Sequence, residues 1–340
     1  MAFYHDLKRY RAEDADWIAR HLLDLRRDLD AAIVSRRHPN SLIVGSWNIR
    51  AFDGGRPRRD ESYHYIAEII DKFDICAIQE IKPDLEPLRR LVRLLGPSWD
   101  YFVTDVTSGG PGNSERMAFL YNTNRVIFRN LIGELVVARD QLIEGEQISR
   151  TPFFASFQAS WFRFTLCSAH IAFKGRDGLS SDELRTREIS LIANALRQRA
   201  RQEDEVYIFL GDMNIDSPDD PTMRALADAG FTTPLFGPTN LAGNRHFDQI
   251  AYSGEGRRTT ILSSGKFDWR SAVYRPDEAA HYRPIAEKMR GEPYANWDRS
   301  YRDWTTHEMS DHLPIWIELM VDYSDDYLKR FVAGAEPEIG

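Results

Sequence analysis

The stretch Val206-Tyr207-Ile208-Phe209-Leu210-Gly211-Asp212-Met213-Asn214 opens as an unbroken apolar run and closes with a carboxylate and an amide one residue apart. Five successive β-branched, aromatic and aliphatic residues read as a strand buried on both faces. Alternation along an extended chain points Asp212 and Asn214 to the same side, at the C-terminal mouth of that strand. The pattern recurs: Asn48 follows Ile43 to Trp47, and Glu80 follows Ile75 to Gln79. One such residue after a strand is often a simple Asx turn. Three mouths in one chain point to a shared site.

Working outward, strand-like and helix-like segments alternate. Ile18, Leu22, Leu25, Leu29 and Ile33, spaced by three and four among Arg and Asp, predict an amphipathic N-terminal helix within residues 11 to 35 that packs on the main domain. Ser41 to Trp47 reads as a strand, Ser62 to Phe73 as a helix, Asp74 to Gln79 as a strand, and Leu85 to Leu95 as a helix stopped by Gly96-Pro97. Tyr101 to Asp105, Met117 to Tyr121, Val126 to Leu131, Phe153 to Gln158 and Phe162 to Ser168 then follow as strands separated by Gly, Asn and Asp. Ser180-Ser181-Asp182-Glu183 offers a capping box for a helix running to about Arg201, and Ser217-Pro218 is expected to open another. Gly109-Gly110-Pro111-Gly112 lacks the Lys-Ser/Thr of a phosphate loop and reads as a hairpin connection. Two β-meanders with helices between them predict a layered α/β sandwich rather than one doubly wound sheet.

The chain has 340 residues, 42% of them hydrophobic, and a formal charge of −8. It is long enough for a sizeable core, and the acidic balance gives no global attraction to nucleic acid, although a groove can be locally basic. Met1 to Asp30 has no apolar run of signal-peptide length, and no segment approaches a membrane span, so a cytoplasmic protein is expected. Cys76 and Cys167, both within apolar runs, read as buried thiols in a reducing compartment.

Residues 254 to 307 are unusual in composition, interleaving Trp269, Tyr274, Tyr282, Trp297, Tyr301 and Trp304 with arginines. Such a mixture either stacks bases and contacts phosphates or packs as a long surface loop on its own domain.

The candidate ligands are hard oxygen donors, which suit Mg²⁺, Mn²⁺ or Ca²⁺ rather than zinc. His307-Glu308 with His312 superficially matches a zinc-protease helix, but those histidines are five apart rather than four, and Pro314 forbids a continuing helix. His170 and His312 each end or follow an apolar run. Asp248, in Phe247-Asp248-Gln249-Ile250, offers a carboxylate to orient an imidazole as general base.

Taken together, Ser46-Trp47-Asn48-Ile49-Arg50, Ile78-Gln79-Glu80, Ala169-His170, Gly211-Asp212-Met213-Asn214 and Ser310-Asp311-His312-Leu313-Pro314 resemble the endonuclease/exonuclease/phosphatase superfamily, and its DNase I-like nucleases in particular. The resemblance covers roughly Ser41 to Leu319. It implies a four-layer α/β sandwich of two packed mixed sheets flanked by helices, with residues 1–40 as a helical extension, 41–322 as the catalytic domain carrying a longer insertion at about 254–307, and 323–340 as a tail. It further implies Glu80, Asn48, Asp311 and Asp212 at a Mg²⁺ site, His312 as general base held by Asp248, and His170 oriented by Glu115. Asn214 is implied as a catalytic phosphate ligand beside the substrate-phosphate contacts Arg50 and Arg150.

The implied reaction is metal-assisted hydrolysis of a phosphodiester, with DNA as the expected substrate on the strength of Glu115, Arg116 and Arg150. Sphingomyelinase-like enzymes share the histidines, so phospholipid cleavage is the alternative, beside a small-molecule phosphatase. Phe247-Asp248-Gln249 departs from the Cys-Asp-Arg of inositol phosphatases. Thr151 stands where the nuclease pattern is acidic, and the Asp248 to Asp311 stretch is longer than in that pattern. A non-catalytic binding module is disfavoured because every ligand and catalytic position is filled.

Overall fold

The computed structural model describes residues 2–54, 56–107, 114–203, 205–254 and 259–332. The glycine-rich hairpin expected at Gly109 to Gly112 lies outside them. In chain order the main elements are α1 (Ala12–Ala32), β1 (Ser41–Phe52), α2 (Asp60–Ile70), β2 (Ile75–Ile81), α3 (Glu86–Leu95), β3 (Trp99–Val103), β4 (Arg116–Asn122), β5 (Ile127–Glu134), β6 (Phe153–Ala159) and β7 (Phe162–His170). They continue as α4 (Ser181–Glu203), β8 (Val206–Asp212), α5 (Pro221–Asp228), β9 (Phe231–Thr232), β10 (Asp248–Ser253), β11 (Ile261–Lys266), α6 (Ala279–Arg290), α7 (Trp297–Glu308), β12 (Ile315–Met320) and α8 (Ser324–Lys329).

The strands form two six-stranded sheets, ordered β11-β12-β1-β2-β4-β3 and β5-β6-β7-β8-β10-β9. Each sheet is antiparallel except for one parallel pair, β1 with β2 and β7 with β8. Strand alternation builds the layers. Val44, Ile75, Ala77, Leu166, Ile208 and Leu210 face inward and share the core between the sheets. Their neighbours Ile43, Cys76 and Ile78 point to the opposite face, where α1, α2 and α3 cover them. Cys167 and Phe209 likewise point out beneath α4 and α5. The result is the four-layer mixed sandwich expected from the sequence, with both cysteines buried and free.

Ser180 and Glu183 make the predicted reciprocal cap, Glu183 N donating to Ser180 Oγ at 3.3 Å and Ser180 N to Glu183 Oε2 at 2.9 Å. The expected helix start at Ser217-Pro218 is displaced. There Asp220 Oδ2 accepts from Ser217 N at 2.8 Å to close a turn, and α5 begins at Pro221, where the missing N–H costs no helical bond.

The aromatic-rich region is neither a base-stacking surface nor a loop. Its first part, β11, extends the first sheet. Residues 267 to 308 then fold into α6, α7 and short turns whose Trp269, Tyr274, Tyr282, Trp297, Tyr301 and Trp304 are buried. Those rings share one core with Leu22, Leu25 and Leu29 of α1. Trp17 of α1 stacks on His281 at 3.8 Å between centroids and donates to Tyr282 Oη at 3.0 Å. The N-terminal helix is thus joined to the aromatic segment by the same apolar surface that each would otherwise expose to water.

Candidate active site

Strand polarity gathers the polar residues at one end of the sandwich. Asn48 and Glu80 stand at the C-terminal ends of parallel β1 and β2, as His170 and Asp212 do on β7 and β8, where the register pairs them directly. The antiparallel strands begin at the same end, so β10 opens with Asp248 opposite Asp212, and His312 lies three residues before β12.

Local irregularities aim these side chains. Register shifts fall between Asn48 and Phe52 in the β1 to β2 pairing and between Ile78 and Ile81 in the β2 to β4 pairing. Bulges of this kind redirect a side chain next to a site. Glu80 has φ +64° and Asn214 φ +51°, both in the left-handed region; Asn tolerates it, whereas Glu does so at a cost of about 1–3 kcal/mol. Gly211, at φ +129°, lies so close to β7 that a Cβ would sit 2.0 Å from Ala169 O. Only glycine lets β8 deliver Asp212 beside His170.

Asn48 ties the two sheets together. Its Nδ2 donates to Glu80 Oε1 at 3.1 Å and to Asp212 Oδ2 at 2.8 Å, while its Oδ1 is buried without a hydrogen-bond partner. Glu80 Oε2 accepts from Ala51 N at 2.8 Å. Asp212 Oδ1 accepts from Asn214 N at 3.0 Å, and Asn214 Nδ2 donates to Ile171 O at 2.8 Å.

Two histidines flank Asp212. His312 Nδ1 lies 2.8 Å from Asp248 Oδ2, and its Nε2 is 3.7 Å from Asp212 Oδ2. Burial acts against a charged imidazole, but Asp248 and Asp212 outweigh it and hold the His312 pKa well above the ordinary value. On the other flank His170 Nε2 is 3.5 Å from Asp212 Oδ2, and its Nδ1 is 3.2 Å from Glu115 Oε2. Burial favours a protonated Glu115, but the adjoining His170 and the charges of Arg150 and Lys82 prevail, bringing its pKa down to about 2.

Arg150 Nε donates to Glu115 Oε2 at 3.1 Å and Nη1 to His170 O at 3.4 Å, so this expected phosphate contact is engaged by the protein itself. Arg50 is likewise held, by Asp303 and Thr306 of α7. Among the described residues the Asp311 carboxylate has no hydrogen-bond partner; its charge reaches Arg50 and His312, while its carbonyl accepts from Leu241 N at 3.0 Å. His307 and Glu308 take no part in the cluster. His307 Nε2 meets Arg56 O at 2.9 Å, and the buried Glu308 accepts from Arg59 N and Ser62 Oγ.

Three supporting residues escaped the sequence reading. Thr239 Oγ1 donates to Asp248 Oδ2 at 2.7 Å, Ser310 Oγ donates to Asn48 O at 2.6 Å, and Lys82 Nζ meets Glu115 Oε1 at 3.1 Å. Lys82 stands two residues beyond Glu80, a spacing from which it could have been found. Thr239, in an irregular loop, carried no such signal.

The donor set fits a hard divalent cation. Carboxylates of Glu80 and Asp212 share one amide, Asn48 Oδ1 is a buried oxygen without a donor, and ligand atoms of Asp212, Asp248 and His312 lie within 4.8 Å of one another. The endonuclease/exonuclease/phosphatase family model matches residues 45–312, which contain every one of these side chains. The chain belongs to the endonuclease/exonuclease/phosphatase family. Members of this family are hydrolases acting on phosphate esters, generally with a divalent metal.

Solved structures agree with the family's sandwich. A Bacteroides thetaiotaomicron endonuclease/exonuclease/phosphatase family protein is 20% identical with a TM-score of 0.56, over 84% of this chain and 97% of that one. The human Nocturnin catalytic domain with bound sulfate is 16% identical with a TM-score of 0.55, over 83% and 93%. A Bacteroides thetaiotaomicron mannosyl-6-phosphatase is 18% identical with a TM-score of 0.53, over 82% and 99%. Curated protein sequences return no match to this chain. No helix among the described residues is long and apolar enough to cross a membrane.

Proposed function

We propose that this family member is a divalent-metal-dependent phosphodiester hydrolase that cleaves DNA. The observation that carries the reading is Asn48, which joins Glu80 of one sheet to Asp212 of the other beside the His312–Asp248 pair. Glu80, Asp212, Asp311 and Asn48 Oδ1 are the groups to hold Mg²⁺ or Mn²⁺, which when bound supplies Lewis-acid polarisation of a phosphoryl oxygen.

The protein's own groups divide the remaining work. Asp248, fixed by Thr239, holds His312 Nδ1 and leaves Nε2 toward the attacking water, whose proton is taken by the ring in its neutral form. Glu115 Oε2, 3.2 Å from His170 Nδ1, stabilises a charged ring whose Nε2 serves an oxygen that gains charge at phosphorus. Asn214, with one amide hydrogen committed to Ile171 O, keeps the other for the phosphate.

A second reading is hydrolysis of a smaller phosphoester or a phospholipid headgroup. It is favoured by the engagement of Arg116 and Arg150 with Thr104 O and Glu115, which leaves fewer cations for a polymer backbone. Supercoiled plasmid incubated with Mg²⁺ or Mn²⁺, with EDTA and Asp212→Asn controls, separates the two. Metal-dependent nicking lost in the variant supports DNA cleavage. Intact plasmid with hydrolysis of bis-p-nitrophenyl phosphate moves the substrate to the second class.

A further inference from the structure

Helix α7 belongs to the segment between β11 and β12, yet its last two turns grip the segment that follows Arg50 and the end of β1. Glu308 Oε2 accepts from Arg59 N and Ser62 Oγ, each at 2.8 Å, and His307 meets Arg56 O at 2.9 Å. The fully buried Arg58 donates to Arg50 O and pairs with Asp53, while Ser310, just beyond α7, accepts from Arg50 N at 3.3 Å. The backbone of Arg50 is therefore held on both sides.

The side chain is held at one nitrogen only. Arg50 Nη1 donates to Asp303 Oδ1 at 2.9 Å and to Thr306 Oγ1, whereas Nε and Nη2 take no hydrogen bond from any described residue. The charges of both Asp311 and Glu80, two of the carboxylates expected to hold the metal, also act on this guanidinium. A guanidinium fixed at one nitrogen with its Nε and Nη2 edge open is preorganised for two parallel hydrogen bonds to an oxyanion.

We propose that Asp303 and Thr306 are positioning residues that hold Arg50 for a substrate phosphate oxygen, so that α7 forms the phosphate-binding wall of the site. The inference rests on the phosphoester-hydrolase reading above. It gives the insertion a role in substrate affinity rather than in a separate binding surface. Asp303 is largely exposed, with 78% of its side chain accessible, so its replacement leaves the core untouched.

The test uses the full chain with Mg²⁺ and inorganic phosphate as the probe. Phosphate binding by calorimetry, together with KM and kcat on bis-p-nitrophenyl phosphate, is measured for wild type, Asp303→Ala, Thr306→Val, Arg50→Ala and Asp303→Ala combined with Arg50→Ala. Asp303→Ala is expected to weaken phosphate binding and raise KM by about 5- to 20-fold with kcat nearly unchanged, and to add nothing once Arg50 is absent. Equal phosphate affinity in wild type and Asp303→Ala, or a full additional loss in the double variant, overturns the inference. Wild type that binds phosphate through Arg50 and Asp303 but hydrolyses no phosphoester overturns the hydrolase reading and leaves the positioning roles standing.

Discussion

Asp212 and Asp248 face each other as a directly opposed pair on antiparallel β8 and β10, and His312 spans them, with Nδ1 2.8 Å from Asp248 and Nε2 3.7 Å from Asp212. Like charges in that position repel, and the imidazolium between them offsets the repulsion. His312→Ala is expected to abolish turnover and to lower the stability of the metal-free protein by about 3–5 kcal/mol, as removal of one partner from a buried ion pair does. Urea unfolding in EDTA beside an activity assay checks both; normal turnover in the variant removes His312 from the general-base role.

Asn48 holds Glu80 and Asp212 together through one amide. Asn48→Asp replaces those donors with a third negative charge. The metal-free variant is expected to lose roughly 1–3 kcal/mol. The Tm gain on adding Mg²⁺ is expected to exceed that of wild type, because cation binding relieves the repulsion. A smaller gain would place the cation away from Asn48.

Glu115 Oε2 lies 3.2 Å from His170 Nδ1, and Lys82 and Arg150 both pair with Glu115. Glu115→Gln is expected to reduce kcat by about 10- to 100-fold with little change in Tm, as disturbed support of a site group does. Lys82→Ala is expected to follow in the same direction with a smaller effect. Unchanged kcat in both would restrict this network to structure.

His21 offers a pH test remote from the site. Its Nδ1 lies 2.7 Å from Trp17 O and its Nε2 2.6 Å from Glu278 Oε1, an arrangement that a doubly protonated ring satisfies. Burial pulls its pKa down, but the Glu278 and Trp17 hydrogen bonds prevail and raise it above 6.5. The folded state then binds the proton more tightly, so the contribution is complete below about 6.5 and is lost as pH rises through the folded value. Denaturant midpoints are expected to fall over that rise in wild type and to change less in His21→Gln; parallel curves would refute the assignment.

Leu25 is fully buried where α1 meets α2 and the aromatic segment. Leu25→Ala is expected to cost about 2–5 kcal/mol. Deleting residues 1–40 should expose the rings of residues 267 to 308 and bring a rise in dye binding or loss of cooperative unfolding. A truncated chain with wild-type stability would show that α1 is dispensable.

Element types and the strand-end positions of Asn48, Glu80, His170 and Asp212 were legible in the sequence, because apolar runs and two-residue alternation are local properties. Tertiary structure alone decided which ends meet: Asn48 reaches Asp212 across 164 positions of chain, and Arg50 reaches Asp303 across 253. It also decided that the rings of residues 267 to 308 are core. Arg and Trp have the same chemistry on a nucleic-acid groove as beneath a helix, and only the apolar face of α1 packed against them settles which. Thr239 and Ser310 acquire roles for the same reason, since a hydroxyl becomes specific only when the fold sets a buried carboxylate or carbonyl within hydrogen-bond reach.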